Sequence, residues 1–125
     1  MFTSVSTVMI FTDDPLKAAR WWGELLDTDV FVDKAEDSVY AWLIIGGTEF
    51  GWHHAEPDKN PPGGSTVAYW KVADLNAARQ QLLDAGCTHH RGPLHVEGDR
   101  WICQIIDPFG TVHGLEGPAT ASEPR

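Results

Sequence analysis

The stretch TVMIFTDDPLKAAR (residues 7–20) decides the fold, because it changes from a strand pattern to a helix pattern within a few residues. Residues 7–12 have the β-branched and apolar composition of a strand. Asp14 is a preferred N-cap residue, and Pro15 suits the first position of a helix because its missing N–H would be unpaired there. This segment therefore predicts a strand that leads directly into a helix.

The helix predicted over about residues 15–26 is amphipathic, with an apolar stripe at helical spacing that comprises Leu16, Ala19, Trp22, Leu25 and Leu26. Three short strand-like segments follow it, at residues 29–32, 39–45 and 49–53. Gly46 and Gly47 predict a tight turn between the last two strands. The first part of the chain is thus predicted to form a βαβββ module.

A second module follows a connector at residues 56–64, whose prolines and glycines cannot continue a central strand. The stretch VAYWKVADLNAAR (residues 67–79) then repeats the first pattern, with a strand, Asp74 as N-cap and a helix over about residues 75–85. Gly86 is expected to cap that helix. Strands are expected around residues 87–90, 100–106 and 111–116, with a turn at residues 107–110.

The repetition is also visible in the letters, since LKAAR (residues 16–20) matches LNAAR (75–79) and GTEFG (47–51) matches GTVHG (110–114). We therefore predict one α+β domain of tandem βαβββ modules, at about residues 5–57 and 64–118, with a frayed tail at 119–125. One face of each module is covered by its helix. The other faces are expected to curl into a mixed sheet around a cleft.

Composition limits the classes of partner. The 125 residues include 18 acidic and nine basic ones, and the resulting net charge of −9 disfavours nucleic acid and would attract cationic ligands. No apolar run approaches the ~20 residues that span a bilayer, and the N-terminus lacks a signal-peptide pattern, so we expect a cytoplasmic protein without a membrane partner. Cys87 and Cys103 are expected to be buried thiols.

Tryptophan is unusually frequent, with six residues at positions 21, 22, 42, 52, 70 and 101. Large aromatic side chains serve both protein cores and the binding of flat ligands. An aromatic interior around a cleft would therefore suit a binder of planar molecules.

Three motifs make the chain similar to a known group of proteins. They are residues 13–22 (DDPLKAARWW), residues 72–75 (VADL) and residues 107–111 (DPFGT). Over about residues 5–118 the chain resembles the vicinal oxygen chelate superfamily, which includes glyoxalase I, extradiol dioxygenases, fosfomycin-modifying enzymes and bleomycin-binding resistance proteins. The resemblance implies the tandem βαβββ fold, and a homodimer as in many relatives.

The chain departs from that family at the positions that hold the metal ligands. Family enzymes commonly hold a divalent ion with a His or Gln on the first strand and a Glu on the last strand of each module. The corresponding positions here are Thr7, Gly51, Val67 and Gly114, which are not a good ligand set. No metal or other cofactor is therefore expected. A shifted site at Glu49, His53 and Glu116 is the alternative, because strand alternation places them on the same face as the lost ligands.

The resemblance also sets the strand parity. Thr7, Met9 and Phe11, and their counterparts Val67, Tyr69 and Lys71, should face the cleft, although a one-residue change of register would exchange the two faces. His113 has the opposite parity from Gly114, and no catalytic residue is assigned. The predicted ligand-binding residues are Thr7, Met9, Phe11, Trp42, Gly51, Trp52, His53, Val67, Tyr69, Trp101, Gly114 and Glu116.

Because it lacks the usual metal-ligating residue types, the chain resembles the drug-binding branch of the family. The sequence therefore predicts a small-molecule-binding protein that sequesters an aromatic or conjugated compound such as an antibiotic, and the negative net charge favours a cationic one. The alternative is a lyase, isomerase or dioxygenase of the same superfamily, with a shifted metal site or with no metal.

Overall fold

The computed structural model describes residues 4–58, 60–62 and 66–119. Contacts divide the chain into two units, Met1–Gly64 (unit one) and Ser65–Arg125 (unit two). Each unit follows the order βαβββ and has its own four-stranded mixed sheet, which confirms the predicted α+β class and its tandem modules. Residues 59, 63 and 64 of the predicted connector and residues 120–125 of the predicted tail lie outside the described residues.

Unit one has five elements: β1 (Thr7–Thr12), α1 (Pro15–Leu26), β2 (Phe31–Lys34), β3 (Val39–Ile45) and β4 (Thr48–His54). Its sheet has the strand order β1-β4-β3-β2, in which β1 runs parallel to β4 and the other neighbours are antiparallel. The turn between β3 and β4 uses Gly46 and Gly47, both at positive φ, as the two-glycine pattern predicts.

The predicted signals set the ends of α1. The Asp14 carboxylate accepts a hydrogen bond from the Lys17 backbone N–H at 3.1 Å, and Pro15 occupies the first turn. The helix ends at Leu26 and is capped by Asp27, which adopts a left-handed conformation and donates its backbone N–H to the Glu24 carbonyl. Ala19 and Trp22 of the predicted stripe are buried, whereas its three leucines are only half-buried.

One face of the unit-one sheet packs against α1. The side chains that fill this interface are buried and alternate along the strands: Ala41 and Leu43 on β3, and Phe50 and Trp52 on β4. Gly23 of α1 leaves room for the segment that follows the helix, because a β-carbon there would come within 2.6 Å of Val30 Cγ2. Residues of the opposite parity lie on the other face, which we call the helix-free face of unit one.

Unit two repeats the arrangement with β5 (Ala68–Lys71), α2 (Leu75–Asp84), β6 (Thr88–Glu97), β7 (Arg100–Ile106) and β8 (Val112–Gly117). Its strand order is β5-β8-β7-β6, with β5 parallel to β8. Asp74 caps α2 by accepting from the Ala77 backbone N–H at 3.2 Å. Gly86 follows the C-cap Ala85 at a φ of 113°.

The face of the second sheet that packs against α2 contains a buried polar network. His113 is fully buried, and its Nδ1 accepts a hydrogen bond from Trp70 Nε1 at 3.1 Å. The other ring nitrogen must then carry the proton, and it donates to Asp107 Oδ2 at 3.1 Å. Asp107 Oδ1 accepts from the backbone N–H groups of Phe109 and Thr111. The network therefore joins the sheet to the turn at residues 107–110.

Two strand predictions differ from the structure. The second strand begins at Phe31 rather than Asp29, since residues 27–30 still connect it to α1. Strand β6 extends to Glu97, well beyond the expected His90. A Gly-Pro pair normally interrupts a strand, but β6 is an edge strand, where proline removes no hydrogen bond from a second neighbour.

Neither α1 nor α2, the helices of the described ranges, is long and apolar enough to cross a membrane.

Candidate functional site

The helix-free face of unit one brings together residues from all four strands. The register places Met9, Gly51, Trp42 and Phe31 side by side across the sheet. Phe11, His53 and Tyr40 lie side by side at the next level along the strands. Side chains that oppose each other across neighbouring strands are close enough to interact, so this face collects rings from distant parts of the sequence.

Five of these rings form a continuous series, which we call the aromatic row; it consists of Phe31, Trp42, Tyr40, His53 and Phe11. Phe31 and Trp42 are stacked with ring centroids 5.8 Å apart, and Trp42 and Tyr40 are stacked at 5.2 Å. Tyr40 and His53 follow at 6.3 Å, and the His53 ring meets Phe11 edge-on at 6.2 Å. These distances lie within the range of favourable aromatic pairs.

The aromatic row is accessible to solvent. Phe31 and Met9 are both 44% exposed, and Ile44 on the same face is 47% exposed. The remaining rings of the row are half-buried. Exposed apolar side chains that are contiguous, rather than scattered singly, make this face a candidate binding surface.

A half-buried polar contact fixes the centre of the aromatic row. The Tyr40 hydroxyl donates a hydrogen bond of 2.6 Å to Glu49 Oε2, and the tyrosine ring passes over Gly51 to make it. A β-carbon at residue 51 would overlap the Tyr40 ring and hydroxyl oxygen. Burial raises the pKa of Tyr40, and the hydrogen bond to Glu49 and the charge of Glu49 raise it further. Tyr40 is therefore held in its neutral form, as a hydrogen-bond donor.

Unit two repeats this geometry. Tyr69 lies over Gly114, where a β-carbon would come within 2.7 Å of Tyr69 Cγ and closer to other ring atoms. The Tyr69 hydroxyl accepts a hydrogen bond of 2.8 Å from Gln104 Nε2. The two glycines that stand at the family's last-strand ligand positions are thus both covered by tyrosine rings.

The residues at the family's metal positions do not fit a divalent ion. The tyrosine rings occupy the space that ligand side chains at residues 51 and 114 would need. Within residues 4–58, 60–62 and 66–119, no three His, Cys, Asp or Glu side chains lie together in a way that could hold a metal. The shifted site is not supported either, because Glu49 accepts from Tyr40 and Glu116 accepts from Arg100. No chemistry is assigned to a metal.

Most predicted site residues lie on the helix-free faces. Six are on that face of unit one: Thr7, Met9, Phe11, Trp42, Gly51 and His53. Three lie on the corresponding face of unit two, namely Tyr69, Gly114 and Glu116. Val67 is half-buried and precedes β5. The predicted parity of the first strands therefore agrees with the observed register.

Two predicted site tryptophans lie elsewhere. Trp52 is 1% exposed and belongs to the core beneath α1, because it alternates with Gly51 and shares the face of Phe50. Trp101 has the parity of the buried Cys103 and contacts the His95 ring at 4.9 Å, so it lies on the α2 side of its sheet.

Two residues of the aromatic row, Tyr40 and Phe31, were not predicted. Tyr40 shares the parity of Trp42 within the correctly predicted third strand, so alternation alone would have identified it. Phe31 was assigned to a strand whose predicted bounds were shifted by two residues. Only the observed pairing with Trp42 reveals its position.

The cysteines and His113 lie away from this surface. Burial raises the pKa of Cys87 to about 12, with a further contribution from Asp107, and burial also raises the pKa of Cys103. Both are free, buried thiols, as the sequence predicts. Such thiols are poor nucleophiles because little thiolate is present near neutral pH.

Comparison with solved structures shows the same fold. A glyoxalase/bleomycin resistance protein/dioxygenase superfamily member from Sphaerobacter thermophilus DSM 20745 is 20% identical, covers 93% of this chain and 98% of its own, and has a TM-score of 0.73. TnmS3, an antibiotic-binding protein from Streptomyces sp. CB03234, is also 20% identical, with coverages of 94% and 98% and a TM-score of 0.71. A family enzyme from Burkholderia phytofirmans PsJN is 15% identical, with coverages of 93% and 99% and a TM-score of 0.71.

At these identities the structures establish the fold alone. No curated protein matches the sequence significantly. The sequence itself matches the Glyoxalase/Bleomycin resistance protein/Dioxygenase superfamily over residues 4–113, which is most of the chain. The protein therefore belongs to the glyoxalase/bleomycin resistance protein/dioxygenase superfamily.

Proposed function

We propose that the aromatic row binds a planar aromatic or conjugated small molecule, and that the protein sequesters this molecule without transforming it. The observation that carries the proposal is the series of five contacting rings on a solvent-accessible sheet face. A flat guest laid on such a surface removes apolar area from water on both sides of the contact.

The energetic scale is adequate for binding. Each favourable aromatic pair contributes about 0.5–1.5 kcal/mol beyond the burial of apolar area. The burial itself contributes roughly 25 cal/mol per Å². A guest that contacts the Trp42 ring and also covers Phe31 and Met9 would gain both contributions, and the rings are already ordered by their neighbours and by the Tyr40–Glu49 hydrogen bond.

Sequestration is favoured over catalysis by the state of the polar groups near the row. Tyr40 is kept protonated by its surroundings and already donates to Glu49. His53 donates its Nδ1 hydrogen to the His54 carbonyl at 3.2 Å, which leaves Nε2 as an acceptor for a ligand. These groups can orient a guest by hydrogen bonding. The enzymatic alternative would have to use His53 as its base.

An antibiotic is a suitable class of guest. One structural relative, TnmS3, is an antibiotic-binding protein. The net charge of −9 would favour a cationic guest over an anionic one at long range.

Tryptophan fluorescence tests the proposal. Titration of the protein with a panel of planar neutral and cationic compounds should give saturable quenching for at least one of them, with a dissociation constant of about 1 µM or lower, equivalent to about 8 kcal/mol. Trp42→Leu should abolish that binding. Trp101→Leu is the matched control, because it removes a half-buried tryptophan from the α2 side of unit two, and it should bind normally.

Mass spectrometry of the bound compound separates sequestration from catalysis. Recovery of the unchanged compound after long incubation supports a binder. Conversion that is lost in His53→Ala would instead establish the enzyme. Equal binding by Trp42→Leu and Trp101→Leu would exclude the aromatic row as the site.

The homodimer and the cytoplasmic location stay predictions. Sedimentation analysis of the purified protein and fractionation of the cells that express it would test them.

A further inference from the structure

Strand β6 has a bulge next to β7. Arg91 pairs with Gln104 and Leu94 pairs with Ile102, so two residues of β6, Gly92 and Pro93, oppose the single residue between Ile102 and Gln104. A bulge of this kind interrupts the ladder and redirects the adjacent side chains. Gly92 has a φ of 82°, and a β-carbon there would come within 2.9 Å of the Ile102 carbonyl oxygen, so glycine is required.

A cavity of about 140 Å³ lies at this bulge, within unit two. It is lined by Tyr69, Arg91, Leu94, Ile102, Cys103 and Gln104. One water molecule needs about 10–15 Å³, so the cavity has room for several. It is smaller than the roughly 300–1,000 Å³ of drug-sized ligand sites, and therefore suits a small molecule or one group of a larger molecule.

The polar side chains that line the cavity are mainly hydrogen-bond donors. The Arg91 guanidinium has five N–H groups. Gln104 donates one amide hydrogen to the Tyr69 hydroxyl and retains a second, while the Tyr69 hydroxyl accepts that bond and retains its own hydrogen. None of the lining residues is an aspartate or glutamate. A lining of this kind favours an acceptor-rich, negatively charged group.

The charge of Arg91 is not neutralised locally. Among the described residues, Arg91 has no carboxylate within ion-pair distance, whereas the nearby Arg100 pairs with Glu116 and Glu97. An unpaired guanidinium beside a cavity is notable in a chain with twice as many acidic as basic residues. Arginine matches the planar geometry of a carboxylate, with which it forms two parallel hydrogen bonds.

We propose that this cavity binds a small organic carboxylate. The carboxylate group pairs with Arg91 and accepts from the free hydrogen of Tyr69 or Gln104, and the apolar part packs against Leu94 and Ile102. This site lies in unit two and takes an anionic ligand, so it goes beyond the aromatic row and does not depend on it.

Titration followed by NMR tests the proposal. The probes are cyclohexanecarboxylate and benzoate, with benzyl alcohol as the neutral match and benzylamine as the cationic match. The carboxylates should shift the Arg91 Nε–H and Gln104 side-chain amide signals saturably, with a dissociation constant in the millimolar range. Arg91→Gln should weaken the binding about tenfold or more, because it removes the charge and the paired donors.

The control variant is Arg20→Gln, which removes the same charge from an exposed position on α1 of unit one and should bind the carboxylates normally. Arg91→Lys, which keeps the charge but loses the paired donors, should fall between the two. Unchanged backbone signals away from β6 and β7 would show that the variants are folded.

Three results would overturn the proposal. The first is that no saturable shift occurs up to about 20 mM carboxylate, which is well above the expected dissociation constant. The second is an equal response to benzyl alcohol. The third is that Arg91→Gln and Arg20→Gln bind the carboxylates with equal affinity. Cyclohexanecarboxylate has no aromatic ring with which to bind the aromatic row, and the NMR signals that are followed, those of Arg91 and Gln104, belong to unit two. Failure here therefore leaves the aromatic row untouched, and failure of the aromatic row leaves this site untouched.

Discussion

The Tyr40 ring lies so close to Gly51 that a β-carbon at residue 51 would overlap its Cε1, Cζ and hydroxyl oxygen. Tyr40 reaches Glu49 only because residue 51 has no side chain. The glycine at residue 51, where the family resemblance implied a lost metal ligand, therefore admits an aromatic ring onto the helix-free face of unit one.

Gly51→Ala should displace Tyr40 and break its hydrogen bond to Glu49. We expect a loss of about 1–3 kcal/mol in the free energy of unfolding, which is typical of an overpacked site. Urea denaturation measures the loss. The double variant Tyr40→Ala/Gly51→Ala should be little less stable than Tyr40→Ala alone, because the space is then free. Strictly additive losses would show that the ring and the glycine are not coupled.

The ionisation of Tyr40 offers an independent check. Its pKa lies above the usual 10.0, because burial and Glu49 both disfavour the phenolate. The chain has two tyrosines, so the difference between the absorbance titrations of the wild type and Tyr40→Phe isolates this residue. Its transition should occur at higher pH than in the urea-unfolded chain. A transition at or below pH 10.0 would contradict the observed environment.

The same shift has a consequence for stability. A raised pKa in the folded state means that the folded protein holds the Tyr40 proton more tightly than the unfolded chain does. The resulting stabilisation is fully present below pH 10.0 and is lost as the pH rises from there through the folded-state pKa. Tyr40→Phe should therefore lose less stability than the wild type does over that pH range.

Sequence patterns were sufficient to predict the local structure and the part of the candidate site that lies on the first strand. The capping residues Asp14 and Asp74 fixed both helix starts, because their interactions are made within a few residues of sequence. These caps are short-range effects, which a single sequence records directly. The parity of Met9 and Phe11 followed from strand alternation only after the family resemblance had set the register.

The remaining features depend on pairing between distant strands. Trp42 pairs with Gly51 across neighbouring strands, and this pairing shows that Trp42 faces away from α1, whereas Trp52, next to Gly51 in the same strand, faces α1. The bulge at Gly92 depends on how β6 pairs with β7, and the sequence Gly-Pro by itself indicates an interruption. The cavity beside Arg91 could therefore not be found from the sequence.

The network around His113 should contribute to stability and not to binding. His113→Ala leaves Trp70 Nε1 and Asp107 Oδ2 without this partner and opens a cavity in a fully buried position. We expect a loss of about 2–4 kcal/mol in the free energy of unfolding. His90→Ala is the control, since His90 is exposed on β6 and its loss should change stability by less than about 0.5 kcal/mol. Similar urea midpoints for the two variants would rule out a structural role for the network.

The contrast between Trp52 and Trp42 separates core from surface. Trp52 is 1% exposed beneath α1, so Trp52→Ala should cost about 3–5 kcal/mol of stability. Its buried Nε1 has no hydrogen-bond partner among the described residues, so Trp52→Phe should cost much less, because it removes an unpaired donor with only a moderate loss of volume.

Trp42→Phe should leave the urea midpoint nearly unchanged and weaken the binding of a planar guest, since a smaller ring offers a smaller contact area. Urea denaturation and fluorescence titration of the three variants provide both readouts. A Trp42 variant that loses stability but not affinity would place that residue in the core and remove the physical basis of the proposed site.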